Sequence, residues 1–140
     1  MTRVLIALAA LIAALALPST AGSASSKTLV TTNVSGGFAG LNTTTTIKRD
    51  GRGVVKDRNG KTQRFRVPSD DLTNLRRRLK DAHFETLGNY PVPPGSADFI
   101  ETRTTYAGRT VDASYRIPKR LKKALQAVDD AVNAGLANSR

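Results

Sequence analysis

The chain lacks cysteine and tryptophan and contains a single histidine, His83, among its 140 residues. Without cysteine the fold cannot use disulfide bonds, and no lipid anchor can be attached through a cysteine. Metal ligation needs clustered cysteine, histidine or carboxylate side chains, and the acidic residues here are scattered along the sequence. The sequence has no HExxH, GxSxG or Walker pattern. We therefore expect a protein that is not an enzyme and that needs no metal or cofactor. A small hydrolase that uses scattered carboxylates is the alternative.

The sequence also lacks an apolar run long enough to span a bilayer, which takes about 20 residues. Its longest run, residues 4–17, follows the basic Arg3 and precedes a small, polar stretch at residues 19–26. That order is typical of a secretory signal peptide, with an uncleaved anchor as the alternative. Its alanine and leucine content favours a bacterial source. We expect a secreted protein that is not transmembrane after processing.

Small residues place the cleavage point after Ala24 or after Ala21. Removing residues 1–24 from the 140 leaves 116, at 25–140, which is the size of a single domain with one hydrophobic core. The removed segment contains one basic residue and no acid, so the formal net charge falls from +11 to +10. Nucleic acids, cell-envelope polymers, lipid head groups and acidic proteins are all attracted by such a charge.

Basic residues outnumber acidic ones by 22 to 11, and most of them fall in three groups, at residues 48–66, 76–80 and 116–123. Anionic envelope polymers are one possible partner, and an ordinary solvated surface is the alternative. Nucleic acid is not expected as a partner, because its binding favours aromatic side chains interleaved with the charge. The first basic group holds only Phe65, which we predict to point inward.

Short runs of alternating polar and apolar residues predict a sheet. Residues 28–67 should form an antiparallel meander of three or four strands, with turns at Asp50-Gly51 and Asn59-Gly60. Residues 99–117 should form a hairpin around Ala107-Gly108. The stretch between the meander and this hairpin includes a loop rich in proline and glycine at residues 90–97.

Two stretches show the apolar spacing of amphipathic helices. The first should run from about residue 70 to Phe84, with Ser69 as its N-cap and one apolar stripe: Leu72, Leu75, Leu79 and Ala82. The second should have Pro118 in its first turn, fray at Gly135, and carry a longer stripe: Leu121, Leu125, Val128, Val132 and Leu136. The order β-β-β(β)-α-β-β-α predicts an α+β fold, an antiparallel sheet of four to six strands with two helices packed on one face. The other face should be solvated.

A glycine-rich connection between the first two predicted strands is the candidate binding site. It consists of small residues around one bulky ring: Ser35, Gly36, Gly37, Phe38, Ala39, Gly40 and Leu41. Glycine allows positive φ and close backbone approach, so this connection can bend sharply. The ring of Phe38 has two possible positions. It either plugs into the core, as at many strand bends, or it is held out as an anchor for a partner.

The segment Ser35–Leu41, which follows a strand, resembles the signature of the emfourin-like proteins. The order of the later elements is similar too, with Asp98-Phe99 at a strand start and a terminal helix led by Pro118. The resemblance implies a small α+β protein that inhibits a thermolysin- or protealysin-type zinc metallopeptidase, extracellular or periplasmic. Such peptidases favour a bulky apolar side chain just after the scissile bond. The resemblance therefore implies steric inhibition, in which Phe38 occupies that pocket.

Overall fold

The computed structural model describes residues 27–96 and 98–139, so the predicted signal peptide lies outside the described residues. The elements are β1 (Thr28–Gly36), β2 (Leu41–Lys48), β3 (Arg52–Lys56), β4 (Thr62–Arg66), α1 (Ser69–Asp81), a 3-10 turn (Phe84–Thr86), β5 (Ile100–Tyr106), β6 (Arg109–Asp112) and α2 (Lys119–Ala137). The predicted α+β class and element order are confirmed. None of the described helices has the length and apolarity that crossing a membrane requires.

The six strands form one antiparallel sheet in the order β4-β3-β2-β1-β5-β6. The first four strands follow one another through tight turns. After α1 the chain returns to the free side of β1 and adds the β5–β6 hairpin there. This places β1 in the interior of the sheet, hydrogen-bonded to β2 on one side and to β5 on the other. Both ends of β1 are therefore flanked by several loops.

One face of the sheet is buried beneath both helices. Its buried side chains include Val30, Ile47, Phe65 and Val111, and they belong to one core cluster with the apolar faces of α1 and α2. On the opposite face, side chains alternate with these and none is buried. Four of them form a threonine row across neighbouring strands: Thr46, Thr31, Thr105 and Thr110. The predicted division into a packed and a solvated face is thus confirmed.

Helix α1 buries the predicted stripe, but its predicted ends are wrong. Pro68 is the extended residue that precedes the helix, and Ser69 is already helical. The side chain of Ser69 therefore makes no capping hydrogen bond. At the other end His83 has a left-handed backbone, with φ of 50°, which stops the α-helix after Asp81. Phe84 is buried in the following 3-10 turn and closes the core below the helix.

Helix α2 packs through small residues that the predicted stripe omitted. Leu121 and Val128 are buried as expected, whereas the other three stripe members are only partly buried. The rest of the buried face consists of Ala124, Ala127, Ala131 and Gly135. Pro118 precedes the helix as its N-cap rather than lying in its first turn. The small residues let the helix approach α1 and the sheet closely, because their side chains occupy little space.

The prediction that the second helix frays at Gly135 is wrong. Gly135 instead packs tightly against the sheet. A Cβ atom at Gly135 would lie 2.5 Å from Cδ2 of Phe65. On the other side of the same ring, a Cβ atom at Gly53 would lie 2.2 Å from Cζ. The ring of Phe65 therefore fills the space left by two missing side chains, one on a neighbouring strand and one on α2.

Strand β6 is shorter than predicted, and the residues after it also bond to another segment. The predicted arm extended to residue 117, yet the strand ends at Asp112. Beyond it, the Tyr90 carbonyl accepts hydrogen bonds from the backbone N–H groups of Ser114 and Tyr115, at 3.0 and 2.8 Å. Tyr90 itself donates to the Asp112 carbonyl at 2.7 Å. The proline- and glycine-rich loop is thereby attached to this edge of the sheet.

Candidate functional site

The glycine-rich connection forms the tip of the β1–β2 hairpin, at one end of the sheet. Residues 37–40 make the turn, and the last paired residues are Gly36 and Leu41. Gly36 is also paired with Ile100, the first residue of β5. Leu41 and Ile100 therefore flank Gly36 on one face, roughly 10 Å apart across three strands. Since Gly36 has no side chain, a shallow notch separates the two.

Phe38 lies outside the core, with 92% of its surface exposed. Of the two alternatives for Phe38, the core plug is therefore wrong, and the ring is held out into solvent. Three more large apolar residues of the described chain are exposed, between 41% and 47%: Leu41, Phe99 and Ile100. We call these four residues the tip patch. A grouped apolar surface of this kind is typical of interaction sites on soluble proteins.

Hydrogen bonds hold the backbone of the tip against the start of β5. The N–H of Gly40 donates to the Gly37 carbonyl at 2.9 Å, which closes the turn. The N–H of Gly37 donates to the Phe99 carbonyl at 3.1 Å. The N–H of Phe38 donates to Oδ1 of Asp98 at 2.6 Å. A bond to a charged carboxylate is among the stronger hydrogen bonds, so Phe38 projects from a braced backbone.

The β3–β4 turn braces the other side of the tip. Arg58 Nη1 donates to the Ala39 carbonyl at 2.7 Å. The turn that carries Arg58 is itself closed by Asp57, whose Oδ1 accepts from the backbone N–H groups of Asn59 and Lys61, both at 2.9 Å. The two central residues of the tip are thus fixed from opposite sides, one by a carboxylate and one by a guanidinium.

Gly36 is the residue that lets the tip approach β5 so closely. Its φ is +102°, and a Cβ atom there would lie 2.4 Å from the Phe99 carbonyl oxygen. No other residue fits without moving one of the strands. The first glycine of the connection is therefore explained by contact with β5 rather than by the turn itself.

A groove of about 250 Å³ runs beside the tip, between Phe38 and the proline- and glycine-rich loop. Val92 and Ser96 lie on the loop side of this groove, and Glu101 contributes an acidic group. Phe99 is held in place by an edge-on contact with Tyr115, with ring centroids 6.2 Å apart. The tip patch therefore has one fully exposed ring and partly supported neighbours.

The seven predicted site residues do not all face the same way. Leu41 lies on the face that also carries Ile100, whereas Ser35 is paired with Asn42 and Glu101 on the solvated face. Sequence reasoning missed Arg58, Phe99 and Ile100 as parts of the site. Asp98 and Phe99 were noted only as a strand start, and nothing in the sequence links Arg58 to the tip.

The rest of the described chain offers little chemistry. It contains no group of three or more histidine, cysteine, aspartate or glutamate residues that could hold a metal ion. His83 is exposed, and its Nδ1 lies 2.9 Å from Oε1 of Glu85. A backbone hydrogen bond at Glu85, followed by the bond to His83, lowers the pKa of the Glu85 carboxyl. This pair belongs to the turn after α1, where the neighbouring Thr86 hydroxyl donates to the His83 backbone carbonyl and not to the imidazole ring.

Comparison with known proteins does not assign the chain to a family. No protein-family model matches the chain, and no curated protein is significantly similar to it in sequence.

Proposed function

We propose that this protein is an exported inhibitor of a thermolysin-like metallopeptidase and that it acts through the loop Ser35–Leu41. The observation that carries the proposal is the position of Phe38, which is 92% exposed at the tip of a braced hairpin. An apolar ring in water is unfavourable unless a partner covers it. The resemblance of the loop to the emfourin-like signature selects the class of partner.

The proposed inhibition is steric. The ring of Phe38 enters the peptidase pocket that receives a bulky apolar side chain just after the scissile bond. The hydrogen bond that Asp98 accepts and the one that Arg58 donates keep the tip in one conformation, which lowers the ordering cost of binding. The same bonds resist the backbone rearrangement that productive cleavage of the loop would require.

The rest of the tip patch lies at the base of the turn that carries the anchor. Leu41, Phe99 and Ile100 are each partly exposed next to the turn, and they would be covered by the rim of the peptidase cleft. Contacts around a central anchor contribute mainly by excluding water from it. Oδ1 of Asp98 accepts the Phe38 N–H, so this carboxylate orients the backbone that carries the anchor.

Inhibition constants against a thermolysin-like peptidase test the proposal. Phe38→Ala should weaken inhibition about 30-fold, which corresponds to a hot-spot loss of about 2 kcal/mol. Phe38→Leu, which keeps an apolar side chain, should stay within about tenfold of the wild type. Lys122→Ala, on the exposed face of α2, is the matched control and should leave the constant unchanged.

Two results would count against the proposal in different ways. Equal potency of the wild type and Phe38→Ala would remove Phe38 from the mechanism. Absence of inhibition by the folded wild type, across several thermolysin-like peptidases, would refute the function itself.

A second candidate function is the binding of an anionic envelope polymer through the solvated face of the sheet. Exposed cations on that face include Lys56, Arg64 and Arg103, while its carboxylates are Glu101 and Asp112. This function predicts retention on an anionic polymer that falls steeply with salt and is the same for the wild type and Phe38→Ala.

A further inference from the structure

A cleft of about 620 Å³ lies at the end of the sheet opposite the tip patch. It is bounded by the start of β1, the end of β2, the β5–β6 turn and one side of α1. Four cationic residues line it, two next to the strands and two on the helix: Lys27, Arg49, Arg76 and Lys80. No aspartate or glutamate of the described chain is among its lining residues. We call it the cationic cleft.

The four cations of the cleft have no carboxylate partners within the described ranges. The ion pairs found there join Arg52 to Asp50 and His83 to Glu85, both away from the cleft. Like charges gathered in one concave site raise the local potential, since the protein walls focus the field. The cleft therefore attracts anions more strongly than the same charges would on a convex surface.

Hydrogen bonds to the backbone join the strand ends of the cleft and orient one of its cations. The N–H of Arg49 donates to the Lys27 carbonyl at 2.9 Å, which ties the two strand ends together. Arg76 Nη2 donates to the Arg49 carbonyl, so its guanidinium is drawn from α1 toward the sheet. Lys80 lies one helical turn after Arg76 and therefore on the same side of α1. A guanidinium has five N–H donors, so Arg76 keeps several for a ligand.

The floor of the cleft is partly apolar. Leu29 is buried there, and Tyr106 presents a ring that is partly buried against the core. At the mouth lies the turn at Ala107 and Gly108, which adds no bulky side chain. The shape thus combines a small apolar base with cations around the opening.

We propose that the cationic cleft binds a ligand that carries two or more linked phosphate groups. Guanidinium and ammonium groups are the usual protein ligands of phosphate oxygens. Four cations spread over this volume exceed what one phosphate can contact, so a short phosphate chain complements them best. The ligand is either a soluble polyphosphate or the head group of a phosphorylated lipid, which share this chemistry.

The proposal does not depend on peptidase inhibition. Strand β1 runs from the cationic cleft to the tip patch, and its nine residues separate the two sites by roughly 27 Å. Each site can therefore be inactivated by mutation without touching the other. Loss of phosphate binding would leave inhibition intact, and loss of inhibition would leave phosphate binding intact.

Calorimetric titration with inorganic tripolyphosphate at low ionic strength tests the proposal. The wild type should bind one tripolyphosphate. The double variant Arg76→Gln/Lys80→Gln should bind about tenfold or more weakly, because it removes two charge-assisted donors. The control Arg77→Gln/Lys122→Gln removes the same net charge from exposed positions outside the cleft and should stay within about threefold of the wild type.

Thermal unfolding first checks that both double variants fold like the wild type. Equal weakening in the cleft variant and in the control would overturn the proposal, because the attraction would then be diffuse. Absence of wild-type binding both to tripolyphosphate and to the phosphate-bearing vesicles described next would overturn it as well. A parallel arm measures binding to phosphatidylcholine vesicles with and without diacylglycerol pyrophosphate, a lipid whose head group is two linked phosphates. A cleft-dependent signal only on the acidic vesicles identifies a lipid source, and one only with tripolyphosphate identifies a soluble source.

Discussion

Replacing Gly36 by alanine should show how tightly the tip is built onto β5. The new Cβ atom would lie 2.4 Å from the Phe99 carbonyl oxygen and 3.5 Å from its carbon. Both neighbours are backbone atoms, so no side chain can swing away to relieve the contact. The strands must separate, and the 3.1 Å hydrogen bond from the Gly37 N–H to the same oxygen is lost.

The expected cost has two parts. A left-handed backbone costs a residue with a Cβ about 1–2 kcal/mol, and Gly36 has φ of +102°. Overpacking adds about 1–3 kcal/mol. This range already includes the cost of the lost hydrogen bond. We therefore expect Gly36→Ala to lower the free energy of unfolding by about 3 kcal/mol.

Gly60→Ala is the matched control. Gly60 also has positive φ, +79°, but a Cβ atom there would meet nothing within 4 Å. This variant should lose only the conformational part, about 1–2 kcal/mol. Urea denaturation with linear extrapolation measures both variants against the wild type. Equal losses in the two variants would refute the close approach of Gly36 to β5. Under the proposed function, Gly36→Ala should also weaken inhibition although Phe38 is still present.

Two further substitutions test the core and the charge of α2. Gly135→Ala should destabilise by about 1 kcal/mol, because overpacking against Phe65 outweighs the gain in helix propensity; a higher melting temperature would contradict this packing. Burial, followed by repulsion from Asp130, raises the pKa of Asp129. The folded state then favours the protonated acid, so this contribution to stability is lost as pH rises through the raised pKa. Asp129→Asn should therefore stabilise by up to about 0.5 kcal/mol at pH 7 and much less at pH 3. Equal effects at both pH values in denaturant titrations would exclude this explanation.

Local periodicity was enough to predict most of the fold. The alternation that places Val30 and Ile47 on one face of the sheet is a property of each strand alone, and the structure confirms it. The stripe of α1 is equally local. Side chains at period two or 3.6 can bury themselves together only in a strand or a helix, so the pattern predicts the element.

The errors arose where distant segments decide the outcome. Strand β6 ends at Asp112, where Tyr90, far from it in sequence, forms backbone hydrogen bonds with Asp112, Ser114 and Tyr115. Gly135 lies within α2, and the ring of Phe65 occupies the space where a side chain at this position would lie. In isolation a glycine near a helix end favours fraying, and only the packed neighbour reverses that expectation.

The candidate site was only partly predictable for the same reason. Glycine content identified the glycine-rich connection, but it left open whether Phe38 points into the core or into solvent. The residues that fix its direction come from elsewhere: Asp98 is 60 positions away in the chain and Arg58 is 19 positions from Ala39. The cationic cleft likewise joins residues from the start of β1, the end of β2, α1 and the β5–β6 turn, which charge runs along the sequence do not reveal.

The central claim is that the exposed ring of Phe38 occupies the active-site cleft of a thermolysin-like peptidase. The most direct measurement is a competition experiment with a small active-site-directed inhibitor of that peptidase. If the claim is correct, the apparent inhibition constant of the protein rises in proportion to the concentration of the small inhibitor, because the two exclude each other. Simultaneous binding, with an apparent constant that does not change, would contradict it.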